Sequence, residues 1–507
     1  MWYGYAERDC NMSKNKQILI FSGIGLAVLG GVTAVLLLTA PEKPAETEDN
    51  IAAEEPVDER LYLTDKKAED IVSIHVKNLS DEYDIVKDGE GWTIKGIEGA
   101  AILTDSLEAL AENVSAMTAE KIVEENASDL SKYGLTAPQY TVTVDYGDEQ
   151  LTFCGGNETP TSSSEIYFCE NGKATVYTYK KSKLSAFSGD KFSFVSTAAM
   201  PAYDQSTGEE VLKFTIERAD LEKPIVIESI PAPGEDEIAV FSYELTSPYN
   251  AYVDLTNAPN FIYSLFGLTA QKAVWYGMEE ADYELSGVNN PSCILTLETN
   301  VRTYTVTLGN AVAENVADED GNITTEIAGF YGISSEVPDT LFLFSAEDIP
   351  AFTIQAETLI SRLFLMPYIY SLESVEYSDC KGQSFEIGFE TIKGAGEDGA
   401  DVHNHYLNGE LHDEQQVKNM YQYLIGASGD EAYFDEAKGE LLATIKYNYA
   451  DSTEASDVVQ FYSSDEDRSV IINVNGDNLF KTKQIYINQL YSNAESFLSG
   501  GEIILTY

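Results

Sequence analysis

Three of the four histidines, His403, His405 and His412, crowd into "DVHNHYLNGELHDE" beside Asp401, Glu410 and Asp413. A divalent cation needs nitrogen and oxygen ligands at such density, and His-x-His on a strand sets both imidazoles on one face. The surrounding sequence argues for another use. His412 holds the helix-start position that Thr104 holds in a related upstream stretch, so helix entry accounts for it, and the cluster has no counterpart elsewhere in the chain. "DEDGNITTE" (Asp318 to Glu326) puts Asp318, Asp320, Gly321 and Ile323 at the third, fifth, sixth and eighth positions of a calcium loop. Val316 and Ile327 then fall at the first and twelfth positions, where that loop requires ligands. A solvated hairpin loop is expected there. "SDCK" (Ser378 to Lys381) fits Ser-x-x-Lys, but it falls where a polar turn between strands is expected, and the partner motifs of penicillin-recognising enzymes are absent. No metal, cofactor or catalytic residue is expected from these motifs.

The cysteines Cys10, Cys154, Cys169, Cys293 and Cys380 lie far apart, without zinc-ribbon spacing. Cys154 and Cys169 end two β-like runs, "LTFC" and "IYFC", that read as hairpin partners. Outside a cell they would form a disulfide or remain two buried thiols, and the sequence leaves both readings open. G-x-S-x-G, H-E-x-x-H and P-loop patterns are absent, so esterase, metalloprotease and phosphate-binding readings lose their usual support. A hydrolase acting through two carboxylates leaves no local trace, and 85 Asp and Glu supply candidates for one. Tyrosines such as Tyr167, Tyr177 and Tyr179 sit in strand-like runs. They read either as contact surface for protein or glycan, or as the outer layer of the sheets.

These residues need a frame, and composition bounds it. The chain has 507 residues, enough for several cored domains. Its formal charge of −54 repels a phosphate backbone, so nucleic acid is not an expected partner. From Ile18 to Ala40 runs a charge-free apolar stretch long enough to cross a bilayer as a helix. Lys14 and Lys16 precede it and an acidic segment follows, which sets residues 1–17 in the cytoplasm, 18–40 in the membrane and the remainder outside. A cleaved signal peptide fits less well, because the apolar core is too long and "LLLTAPEK" lacks a small-x-small site. Gly23, Ala27 and Gly31 form a small-residue row on that helix, suited to close helix approach or to ordinary glycine tolerance. The basic "MSKNKQ" beginning at Met12 reads as a translation start alternative to Met1. Residues 41–60 are an acidic, Pro-containing linker.

Beyond Leu61 the chain repeats itself. "SAMTAEKIV" corresponds to "FGLTAQKAV", mapping Met117 on Leu268, and "YGLTAPQYTVTV" from Tyr133 maps on "YELSGVNNPSCILTL" from Tyr283, with Glu284 in the place of Gly134. Gly156-Asn157 matches Gly309-Asn310. A diverged third copy opens with Ser374 aligned to Ser73. Alternating runs such as Thr141–Val144 and Thr303–Val306 predict half-buried strands, and Asn171-Gly172 and Asn475-Gly476 predict tight hairpin turns. One amphipathic helix is expected per copy. In the first, Asp105 with Glu108 reads as a capping box and Leu107, Leu110 and Val114 as the buried stripe. In the third, Asp413 with Gln416 caps and Val417, Met420 and Leu424 are buried. The expectation is an α+β fold of three modules, 61–205, 206–356 and 357–507, each of antiparallel strands with one packing helix.

The block "DLSKYGLTAPQYTVTV", a Gly-Asn turn, the strand "EIYFCENGKATVYTY" and the terminal "KLSAF" together resemble the bacterial family known as domain of unknown function 4340. The resemblance implies an anchored envelope protein, often associated with gliding-motility-type ABC transporter components, and brings no catalytic residues with it. The chain therefore reads as a membrane-anchored, extracytoplasmic accessory or binding protein without catalytic activity, whose partners are the membrane and envelope or transporter subunits. The alternative is a glycan-directed extracellular hydrolase using a carboxylate pair.

Overall fold

The computed structural model describes residues 61–507 apart from 90, 232–240, 255, 257–260, 318–322, 397–398, 437, 452–455 and 467. The expected anchor at 18–40, its flanks and the linker lie outside the described residues. Among those described, no helix is long and apolar enough to cross a membrane.

Alternating sequences fold into antiparallel sheets here because one face of each strand is apolar and the other polar. A small pair, β1 (Leu61–Tyr62) with β5 (Thr118–Ala119), adjoins the first large sheet. That sheet contains β2 (Ser73–Lys77), β3 (Glu82–Asp88), β4 (Gly91–Ile94), β6 (Lys121–Glu124), β7 (Tyr140–Asp145), β8 (Gln150–Thr159), β9 (Ser162–Glu170) and β10 (Val176–Lys180). Its spatial order is β4-β3-β2-β7-β8-β9-β10-β6. The second sheet is built from β11 (Val211–Arg218), β12 (Ile225–Ser229), β13 (Tyr243–Ser247), β14 (Ala251–Tyr252), β15 (Lys272–Tyr276), β16 (Cys293–Thr299), β17 (Thr303–Ala317), β18 (Ile323–Ser334) and β19 (Val337–Ser345). They run in the order β14-β13-β12-β11-β16-β17-β18-β19-β15. The third has β20 (Leu372–Asp379), β21 (Ser384–Ile392), β22 (Val402–Leu407), β23 (Glu410–Leu411), β24 (Glu431–Ala432), β25 (Leu441–Tyr449), β26 (Asp457–Ser463), β27 (Ser469–Val474) and β28 (Asp477–Lys483). Their order is β23-β22-β21-β20-β25-β26-β27-β28-β24.

In each sheet the opening strand lies centrally beside the first strand of a four-strand meander, and the strand between the two meanders (β6, β15 or β24) crosses to the far edge. The architecture is α+β, with sheets predominating. In the first and third sheets the crossing passes through a helix. The Thr104–Ser115 helix buries Leu107, Leu110 and Val114, and the Glu414–Leu424 helix buries Val417, Met420 and Leu424. Each such side chain contributes roughly 1.5–3 kcal/mol on leaving water. In the second sheet the described part of this crossing includes the 3-10 turn Tyr263–Leu265.

Three local readings need correction. Asp105 does not cap its helix: Leu103 is the N-cap, without a side-chain hydrogen bond, and Asp105 lies in the first turn, where its charge meets the positive helix end. Asp413 does cap, accepting from Gln416 N at 2.9 Å. Asn475-Gly476 forms a two-residue turn with φ of 52° and 104°, whereas Asn171-Gly172 belongs to a longer link between β9 and β10 in which only the glycine has positive φ.

The third correction concerns the repeat. Gly134 and Gly287 both adopt left-handed φ, 74° and 76°, and a Cβ on either would overlap the side chain of Asn157 or Asn310 respectively. Gly156 and Gly309 press on the carbonyls of Tyr133 and Ser286. Tyr133 therefore corresponds to Ser286 and not to Tyr283. Gly287 is the counterpart of Gly134, Pro291 follows at the same spacing as Pro138, and no insertion intervenes. Glu284, which the sequence set in the place of the glycine, lies instead in the short helix Glu280–Ser286. Tyr-x-Leu misleads because side-chain identity carries little weight at a turn that is fixed by backbone conformation. Met117 and Leu268 do correspond: their carbonyls accept from Leu63 N (2.8 Å) and Ala199 N (3.0 Å).

Candidate functional site

Two places on this frame gather polar groups in a way that chemistry could use. The first is a cross-strand row on the second sheet. Lys213 on β11 faces Glu228 on β12, which faces Glu244 on β13, with Glu298 of β16 on the other side of the lysine. Residues opposite one another in adjacent strands share a face and lie within side-chain reach. Lys213 Nζ meets Glu228 at 2.8 Å, which leaves Glu244 without the cation. Burial, and then the Glu228 charge, raise the Glu244 carboxyl above its ordinary value. Among the described residues it is the carboxylate shifted upward, whereas the ion-paired Glu82, Glu120, Glu376 and Glu414 are shifted downward. The pair thus sets an ion-paired carboxylate beside one whose pKa is raised, an asymmetry of the kind that acid–base catalysis uses.

The second is a cleft of about 720 Å³ between elements of the second and third sheets. Its walls come from the β11–β12 turn (Leu221, Glu222, Lys223), the end of β13 (Pro248, Tyr249), Gln355–Glu357, Phe434–Glu436 with Lys438, and the β27–β28 turn. Tyr249 stacks on Phe434 with centroids 3.8 Å apart, joining the two sides. Burial, followed by the charges of Glu357 and Asp435, raises the Tyr249 hydroxyl and keeps it a neutral donor. An asparagine network fixes the third-sheet side. Asn473 donates to Asn478 Oδ1 (2.8 Å) and Gly476 O (2.9 Å), and Asn478 donates to Asp435 O (2.7 Å). Neither the row nor the cleft was visible in the sequence, because each joins residues from strands or sheets far apart along the chain.

His403 and His405 share β22, yet His403 stacks on Tyr370 at 3.9 Å and bonds Thr391 Oγ1 at 3.0 Å, while His405 is buried against Phe389. His412 bonds Gln416 at 3.0 Å at the start of its helix. No group of three or more His, Cys, Asp or Glu poised for a metal occurs among the described residues. His405 is 2% exposed with Nε2 unpartnered, and desolvation lowers its pKa. Ser378 and Lys381 flank the β20–β21 turn, where Asp379 Oδ1 accepts from Lys381 N (2.9 Å) and Gln383 N (3.0 Å). The candidate calcium loop begins at Asp318, and residues 318–322 lie outside the described residues. Tyr179 is buried and stacks on Phe168 at 4.4 Å, so it packs the sheet itself, while Tyr167 and Tyr177 are half-buried. Cys154 and Cys169 face each other as free thiols.

Residues 92–291 match the model of the family described as Domain of unknown function (DUF4340). The match spans the Tyr-Gly-Leu block and its Gly-Asn turn, the stretch that carries the resemblance in the sequence. No curated protein and no solved structure matches the chain.

Proposed function

We propose that the protein is a non-enzymatic accessory or binding component, anchored by residues 18–40 and displaying three copies of one α+β module outside the membrane, near 61–205, 206–356 and 357–507. The coincidence of strand order in the three sheets carries this reading. The connecting segments on either side of the second sheet also bridge by backbone to residues beside its strands, Ala198 to Thr269 and Val253 to Ile360. A tied array of similar sheets offers long composite surfaces and joints, of which the cleft around Tyr249 and Phe434 is one, and such surfaces suit partner binding. The anchoring run and the family resemblance favour integral envelope or transporter subunits as partners. Crosslinking in intact cells through photoreactive groups at Glu222 and Glu436, on opposite walls of the cleft, tests this. Reproducible capture of membrane subunits supports the role, and protection of residues beyond 60 from external protease on intact cells removes it.

The Glu228–Glu244 pair supports a second reading, a hydrolase acting on glycans. Turnover of a cell-wall glycan by the full-length protein, abolished in Glu244→Gln, would establish it in place of the first.

A further inference from the structure

The first sheet carries a pair of thiols that the binding role does not use. Cys154 on β8 and Cys169 on β9 are direct partners across the antiparallel ladder, so both side chains project from the same face. Asn171 N–H donates to Thr152 O at 2.7 Å, which makes that pair hydrogen-bonded, and two residues along the ladder the 154/169 pair is hydrogen-bonded as well. Such pairs hold their Cα atoms about 5.5 Å apart, near the commonest disulfide separation. Strand pairing therefore brings the two sulfurs into bonding range without backbone movement.

The surroundings distinguish the two sulfurs. Tyr133, Leu135 and Val176 enclose the pair in a small apolar cluster of its own, separate from the main core. Cys154 is the more accessible, 7% exposed against 3% for Cys169. Thr141 lies directly across β7 from Cys154, so a hydroxyl and a thiol both approach its sulfur. The hydrogen bond from Cys169, offset in part by burial and aided by Thr141, lowers the Cys154 pKa to about 7, while the same bond raises that of Cys169. The other described cysteines sit differently. Cys293 is buried and pushed up to about 12 by desolvation, and Cys380 lies 3.4 Å from Tyr491 Oη.

We propose that Cys154 and Cys169 form a thiol–disulfide exchange site, with Cys154 as attacking sulfur and Cys169 as resolving sulfur, whose co-reactant is a small-molecule or protein disulfide. The Cys154 thiolate attacks one sulfur of the incoming disulfide, forming a mixed disulfide and expelling one thiolate, which takes up a proton. Cys169 loses its proton and attacks the Cys154 sulfur, closing the cross-strand disulfide and expelling the second thiol. The two protein thiols give up two electrons and two protons, and the incoming disulfide becomes two thiols. The closed bond ties β8 to β9 beside Gly155-Gly156-Asn157, the segment that grips the Gly134 turn. At the corresponding place in the second sheet Thr307 faces Ile333, so the site belongs to the first sheet alone of these two.

The test uses the full chain with oxidised glutathione at pH 7.5, read by peptide mass spectrometry under non-reducing conditions. Wild type should yield the 154–169 linked peptide with the loss of two hydrogens. Cys169→Ser should arrest as a glutathione adduct on Cys154, and Cys154→Ser should be modified at Cys169 at least tenfold more slowly. Oxidised wild type should resist urea to a higher midpoint, and dithiothreitol should return it to the starting value. Wild type that keeps both thiols free while its urea-unfolded form oxidises would overturn the site. Equal adduct rates in the two variants would overturn the assignment of attacking and resolving sulfur.

Discussion

The hairpins β8–β9 and β17–β18 start from the same backbone contact and end differently. In both, a Gly-Asn step on the outgoing strand presses into a left-handed glycine turn, Gly156-Asn157 on Gly134 and Gly309-Asn310 on Gly287. Asn310 adds a bond to Leu285 O at 2.9 Å. Beyond that point the first hairpin closes at Thr159–Ser162, and its two thiols lie on the near side. The second continues to Ala317, and its outer part pairs only with itself, leaving Ile323 and Ile327 72% and 54% exposed. Glu314 and Glu326 there face each other as like charges. A two-stranded ribbon without a third strand is marginal in water, so the outer arm adds reach and little stability. The contact near the turn is the element that the two sheets share, and the ends of the hairpins are where they differ.

Removing the contact is expected to have the largest effect. In Gly156→Ala and Gly309→Ala the new Cβ meets backbone, which cannot yield, so each should cost roughly 3 kcal/mol or more. Hydrogen exchange resolved by sheet should show the loss confined to the first or second sheet respectively. A loss in only one variant breaks the equivalence. Gly134→Ala and Gly287→Ala force a side chain into the left-handed region and against Asn157 or Asn310, and should each cost at least about 1–2 kcal/mol, in matched degree, by urea denaturation.

A smaller effect separates the third sheet from the other two. His405 is buried with its pKa lowered from 6.5 by desolvation; Glu414 opposes this shift, and Lys418 and His403 reinforce it. Its unfolded form therefore takes up a proton at a pH where its folded form does not, and stability is lost as pH falls below about 6.5, the ordinary histidine value. Exchange protection around β22 and the Glu414–Leu424 helix should fall first on acidification, and His405→Gln should remove that dependence. In the first sheet His75 is partly exposed and bonds Asp84 at 2.8 Å. The smallest effect belongs to the arm: Ile327→Ala should change stability by no more than about 0.5 kcal/mol, since its side chain faces water. A loss of several kcal/mol would mean that the arm packs on something in solution.

Much of the fold was legible in the chain. The stripes Leu107–Leu110–Val114 and Val417–Met420–Leu424 are buried as their helical spacing requires, and Asp413 caps as its type and position require. Asp105 shows the limit: a capping residue three positions before a glutamate is common on any exposed helix start, and Thr104 begins the helix one residue too early for it to serve. The Tyr283 alignment failed for a related reason, since matching side chains outweighed a glycine whose only signature is its φ. The Glu228–Glu244 pair and the Tyr249–Phe434 joint left no trace at all, because neither has a spacing along the chain.

What the sequence determined by itself was periodicity, charge and the apolar run at 18–40, each set by neighbours within a few residues. Strand order, the meeting of Cys154 with Cys169 and the raised carboxyl of Glu244 were decided by the tertiary structure. Register and desolvation are properties of what lies across a ladder or above a sheet. A shift of one residue in pairing would turn Cys169 to the opposite face and part the two thiols, although the sequence around each would be unchanged.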